Sequence, residues 1–171
     1  MIALSPLLAL LLLTFQAPPT DNCFDIDTHG VAILGQPVVM YLGAHELEGG
    51  GALPGIAQFG PHSSYLSSIA TSMEAADDGT LHLTLAHMFL VDDANAFITN
   101  DEATCAPSAE QQNVCIVHTR MQVVEGIGIF ENASGAIEAR GPITISDPTY
   151  QSAEYGSLDY HITGRVCGPN L

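Results

Sequence analysis

The stretch Leu81-His82-Leu83-Thr84-Leu85-Ala86-His87-Met88-Phe89-Leu90-Val91 decides the fold class. Leu81, Leu83, Leu85, Phe89 and Val91 recur at every second position, and His87 is the one polar member of that set. A buried helical face needs apolar residues three and four apart, whereas a repeat of two belongs to a strand with one covered side. The same period returns downstream. Val117, Thr119, Met121 and Val123 oppose His118, Arg120 and Gln122. Ile137, Ala139, Gly141, Ile143 and Ile145 oppose Glu138, Arg140 and Thr144, and Leu158, Tyr160, Ile162, Gly164 and Val166 oppose Asp159, His161, Thr163 and Arg165. Weaker strands are expected over Pro37 to Leu42 and Ser64 to Ala75. About eight antiparallel strands fit this length, and closing them into an up-and-down barrel removes the exposed edges.

Register follows from the hairpins. Pairing Val91 with Phe97 sets Phe89 against Thr99 and His87 against Asp101. Pairing Cys105 with Cys115 sets Asp101 against Thr119 and Glu102 against His118. Directly opposed residues share a face, so both registers put the same side chains inside. The glycine-rich segment from Gly43 to Gly60 reads as a long connection, of the kind that forms lids or binding loops. Met88 and Leu90 make the outer face of their strand apolar as well, which suggests a subunit contact.

The chain begins with an uncharged segment whose apolar core, Leu7 to Leu13, is too short to span a bilayer. It has the form of a secretory signal peptide covering residues 1–17, which leaves residues 18–171 as a single domain. Nineteen Asp and Glu stand against three Arg and no Lys, a formal charge of −16. Such a surface repels phosphate backbones and anionic headgroups, so neither nucleic acid nor a membrane is an expected partner. Four cysteines in an exported chain suggest two disulfides. Of three connectivities the favoured one joins Cys105 to Cys115 across a hairpin and Cys23 to Cys167 between the chain ends. Secretion, or export to a periplasm, follows as the expected location.

The stretch Gly126-Ile127-Gly128-Ile129-Phe130-Glu131-Asn132-Ala133-Ser134-Gly135, followed by Ile137, Ala139 and Gly141, resembles the Gly-x-Gly-x-Phe-x-x-Ala-x-Gly signature of allene oxide cyclase-like and dirigent-like barrels. His87-Met88-Phe89, Asn100-Asp101-Glu102-Ala103, His118-Thr119-Arg120 and Thr163-Gly164-Arg165-Val166-Cys167 are similar to the matching strands of bacterial members. The likeness runs from about Thr71 to Cys167 and leaves the N-terminal third uncovered. It implies an eight-stranded barrel, commonly a trimer, around an apolar cavity that holds a small hydrophobic molecule. Glu125 stands where the motif has a further glycine, and the family's first-strand polar residues have no counterpart here, so its activity is not carried over.

His87 and Asp101 form the sharpest chemical pair, because both interrupt apolar faces and the register brings them together. A carboxylate that orients an imidazole is a workable general acid–base couple, and it also satisfies two buried polar groups structurally. Glu131 is a further candidate acid, since strict alternation turns it inward with Ile129 and Ala133, while a bulge there would bring Phe130 in instead. Phe89, Phe97, Thr119 and Met121 are the expected ligand-lining residues. Asp25-Ile26-Asp27-Thr28-His29-Gly30 opens like a calcium loop, but His29 and Gln36 occupy ligand positions, and the seven histidines are scattered, so no metal site is expected. Arg120 is expected to pair with Glu102 on the outer face. The expected function is cofactor-free: a lumen that binds a small hydrophobic molecule, with cyclase or isomerase activity. The alternative is a non-catalytic carrier or a structural barrel filled by its own side chains.

Overall fold

A computed structural model describes residues 22–35, 39–42, 45–48, 50–52, 55–59, 62–146 and 154–171. The expected signal peptide lies outside these residues. The chain forms β1 (Asn22–Gly35), β2 (Val39–Leu42), β3 (His45–Glu48), β4 (Gly50–Ala52), β5 (Gly55–Phe59), β6 (His62–Ala75), β7 (Leu81–Asp92), β8 (Asn95–Pro107), β9 (Val114–Ile127), β10 (Ser134–Ile145) and β11 (Glu154–Gly168). The described residues contain no α-helix, only a 3-10 turn at Gly128–Phe130.

The fold is the antiparallel barrel that the alternation implies. Strands β6 to β11 pair in chain order, and β1 returns to pair with β11 along its whole length, from Asn22 opposite Gly168 to Gly35 opposite Glu154. The remaining gap, between β1 and β6, is bridged by the short β5, which pairs with both, and by β4. The glycine-rich segment is therefore not one long loop. It contributes two short wall strands, besides the separate β2–β3 hairpin.

β1 was not legible as a strand, because Asp25, Asp27 and Gly30 resemble a loop. Its alternation is nonetheless regular: Ile26, Gly30 and Ala32 are buried, while Asp25, Asp27, His29 and Val31 are exposed. Elsewhere the inward set is the expected one, with Leu85, His87, Phe89, Phe97, Asp101, Val117, Thr119, Met121, Ile137, Leu158, Tyr160, Ile162 and Val166 all buried.

Along most of both hairpins the register differs from expectation by two residues, with bulges at Leu90/Asp92 and Ile98/Thr99. Phe89 faces Phe97, His87 faces Thr99, and Leu85 faces Asp101. The β7–β8 turn is tighter than expected: the last pair is Asp92 with Asn95, and the Asp92 carboxylate accepts from the Ala94 N–H at 2.8 Å and the Asn95 side-chain amide at 2.9 Å. In the next hairpin Cys105 faces Val117 and Cys115 faces Pro107, while Glu102 faces Arg120 instead of His118. A slip of two leaves every side chain on its original face, whereas a slip of one would have inverted the sheet.

The β9–β10 turn decides Glu131. Gly128 adopts φ +67°, and Asn95 Oδ1 accepts the Ile129 N–H at 2.8 Å. A Cβ on Gly128 would lie 2.2 Å from the Ala94 carbonyl oxygen, so only glycine fits there. This single 3-10 turn breaks the alternation. Phe130 becomes fully buried and Glu131 is exposed, which removes Glu131 from the lumen. Phe130 then completes an aromatic column, with ring centroids 4.9 Å from Phe97 and 6.3 Å from Phe24, while Phe97 stacks on Phe89 at 4.6 Å. Outside the wall Ala96 and Ile98 pack with Met88, Leu90 and Ile127, so the apolar outer face is real and partly covered.

Both expected disulfides are present, Cys23–Cys167 and Cys105–Cys115. The first ties the closing strands together across 144 residues and the second spans 10. Chain-entropy arithmetic assigns about 5 kcal/mol to the longer loop and about 3 kcal/mol to the shorter. Urea unfolding should therefore show Cys23→Ser/Cys167→Ser as the more destabilised double variant, and equal losses would contradict this ordering.

Candidate functional site

The inner wall carries one polar corner. In the lateral row crossing β6, β7 and β8, Ser68, His87 and Thr99 are neighbours facing the lumen, and each is buried. Asp101 sits one inward position farther along β8, diagonal to His87, so the expected pair forms without being directly opposed. His87 Nδ1 and Asp101 Oδ2 make a short hydrogen bond. A carboxylate acceptor requires the proton on Nδ1, so the neutral ring presents its Nε2 lone pair elsewhere.

Two further observations give this corner its character. Asp101 Oδ1, Ser68 Oγ and Thr99 Oγ1 are buried without a hydrogen-bond partner among the described residues. Leaving such groups unpaired costs about 1–3 kcal/mol each, and more for a carboxylate. Meanwhile the His87 side chain keeps 7% of its surface accessible, while Asp101 keeps none. Phe89 stacks beside His87 at 6.0 Å and Phe97 stacks on Phe89, so the polar corner adjoins an apolar surface.

Of the residues singled out in the sequence, the barrel gathers His87, Asp101, Phe89, Phe97 and Met121 at this corner, with Met121 rather than Thr119 opposite Asp101. Thr119 is buried farther along the lumen, opposite Ala103. Ser68 and Thr99 are additions that sequence reasoning missed. A hydroxyl within an alternating strand reads as an ordinary β-former, and only the row assembled across three strands reveals it.

Tyr160 lies on the inner wall, its ring over Gly30, where a Cβ would come within 2.7 Å of ring carbons. Its hydroxyl is also buried without a partner among the described residues. Burial raises this phenol well above its ordinary value of 10.0.

Outside, Arg165 holds Asp25 through two bonds of 2.6 and 3.0 Å, which keeps the Asp25 carboxyl below its usual range. Arg120 approaches Glu138 at 3.6 Å, not Glu102 as expected. Glu138 also lies 3.4 Å from His118, and His161 bonds Asp27 at 2.6 Å. The histidines are not scattered in space: His82, His118, His161 and His29 fall on one line across the outer wall. No group of three or more His, Cys, Asp or Glu among the described residues could hold a metal ion. No protein-family model, curated protein or solved structure matches this chain.

The raised Tyr160 phenol carries a signed consequence. The folded state keeps the hydroxyl neutral while the unfolded chain ionises it near its ordinary value, so this contribution to stability is complete below about pH 10 and declines as pH rises further. Phenolate absorbance should show one of the five tyrosines ionising only as the fold is lost. Tyr160→Phe should remove that component without lowering stability at neutral pH.

Proposed function

We propose that this barrel holds a small, uncharged, largely apolar molecule whose hydroxyl-like group docks at the His87–Asp101 corner. The observation that carries the proposal is the set of three buried atoms without a partner among the described residues, Asp101 Oδ1, Ser68 Oγ and Thr99 Oγ1, in the rows of the His87–Asp101 bond. Those atoms define the ligand group. Asp101 Oδ1 takes only a donor, while the two hydroxyls serve as donor or acceptor, so a ligand hydroxyl satisfies them. A ligand carboxylate would face the Asp101 charge at low dielectric and is disfavoured. The stacked Phe89 and Phe97 rings offer the apolar surface for the rest of the molecule.

His87 then has a chemical role. With Nδ1–H anchored on Asp101, Nε2 is placed to accept a proton from the bound molecule and return it at another position, which is the proton movement of an isomerisation. The wall restricts the shape of the bound chain, as a cyclisation requires, and neither step needs a cofactor. This agrees with the resemblance to allene oxide cyclase-like barrels. The two disulfides fit a protein folded in an oxidising compartment, consistent with export. A second reading, a barrel filled by its own residues, is favoured by the Phe24–Phe130–Phe97–Phe89 column alone.

Native mass spectrometry of the exported protein, followed by solvent extraction, separates the two. A neutral small molecule should accompany the wild type, and Asp101→Asn should retain it about tenfold less tightly, a difference of ~1.4 kcal/mol. His87→Gln should still hold the molecule but no longer convert it. Wild type free of any small molecule, together with an Asp101→Leu variant more stable than wild type, would identify the corner as internal packing.

A further inference from the structure

The aligned registers of six strands place His82 on β7, Thr104 on β8, His118 on β9, Arg140 on β10, His161 on β11 and His29 on β1 side by side on the outer wall. Five of these positions are basic and none is acidic, in a chain with nineteen Asp and Glu against three Arg and seven His. Adjacent strands stand about 4.8 Å apart, so the part from His118 to His29 extends over about 14 Å. Arg140 is its centre, flanked by His118 and His161. Arg165 is paired with Asp25 and Arg120 approaches Glu138. Arg140, by contrast, makes no ion pair among the described residues. Beyond Arg140, the His161 ring stacks on His29 at 4.9 Å. Toward β7 the row descends into a depression of about 490 Å³ whose lining includes His82, Thr104, His118 and Arg120.

We propose that this row binds an oxyanion, a sulfate or phosphate ester group, and does so when its imidazoles are protonated. A guanidinium presents a planar fork that matches two oxygens of such a group, and a protonated imidazole adds an N–H donor on either side. The electrostatics decide when this happens. Facing the row are Glu74 from β6, Asp78 from the turn before β7, Glu102 from β8, Arg120 from β9, Glu138 from β10, Asp159 from β11 and Asp27 from β1. With neutral imidazoles, Arg120 and Arg140 are outnumbered by those six carboxylates, and an anion is repelled. Protonating His82, His118, His161 and His29 offsets the carboxylates and leaves the Arg140 fork able to take an anion. Imidazoles are the side chains that gain charge between about pH 8 and pH 5. Local charge therefore rises from strongly negative to about neutral while the chain as a whole stays acidic.

Inorganic sulfate is the probe of choice because its own charge does not change over this range. It is titrated into the full exported protein at about pH 5.5 and about pH 8, with chloride holding ionic strength constant, and followed through the histidine ring resonances. Saturable binding is expected at the lower pH and at least about tenfold weaker binding at the higher. Arg140→Gln should weaken it at least about fivefold, and Arg140→Lys, which keeps the charge but not the fork, should fall between. Inorganic phosphate and a sulfated oligosaccharide distinguish the source: much tighter binding of the oligosaccharide points to an anionic polymer, and equal binding points to a single anion. Binding that ignores pH, an Arg140→Gln variant that binds as wild type, or absence of saturation at the lower pH would overturn the proposal. So would ring shifts produced by zinc ion but not by sulfate.

Discussion

The pairing of β1 with β11 is the constraint on which the rest of the molecule depends. Without it, β6 to β11 form an open curved sheet with a long edge, and half of every strand's side chains have no interior to enter. With it, the wall has an inside, and residues as different as Ile26, Phe89 and Ile162 lose almost all contact with solvent. Cys23 and Cys167 are directly opposed at this seam, with Cα atoms 4.0 Å apart. The disulfide therefore locks the one contact whose formation costs most chain entropy, since its partners lie 144 residues apart. Asp25 with Arg165 and Asp27 with His161 reinforce the same seam from outside.

Closure also creates the chemical problem that defines the lumen. A filled barrel is most stable when its interior is apolar, yet this one encloses a carboxylate, an imidazole and two hydroxyls in adjoining rows. The His87–Asp101 bond satisfies one carboxylate oxygen and leaves the other without a partner among the described residues. Apolar replacements of similar volume would avoid that cost, as they often do for buried charge pairs. Polar groups retained beside an aromatic column are what support the proposal of a bound small molecule, with one end hydrogen-bonded and the other held away from water.

The outer wall uses the same register for a different end. Residues that share a lateral row on a barrel may be far apart in the chain, as His29 and His161 are. Each alternate position facing solvent can be chosen without disturbing the core. The inner rows thus concentrate hydroxyls and the hydrogen-bonded His87–Asp101 pair, while one outer row concentrates imidazoles around Arg140. Both are properties of rows, and rows exist only after the strands have paired.

Alternation by two made the fold class and the inward set legible, because side-chain direction in a strand depends only on local backbone geometry, while the disulfide pairing followed from the cysteines' places at a hairpin and at the chain ends. It identified His87 and Asp101 for the same reason: each is a polar residue where its strand demands an apolar one. It failed at Glu131, where a left-handed glycine and a 3-10 turn reset the alternation, and at β1, whose acidic residues resemble a loop. The exact register, the neighbours Ser68 and Thr99 of His87, and the alignment of four histidines with Arg140 were decided by tertiary structure alone. Hydrogen-bond pairing between distant strands, set by turn geometry and ring closure, assigns which residues become neighbours, and no local pattern carries that information.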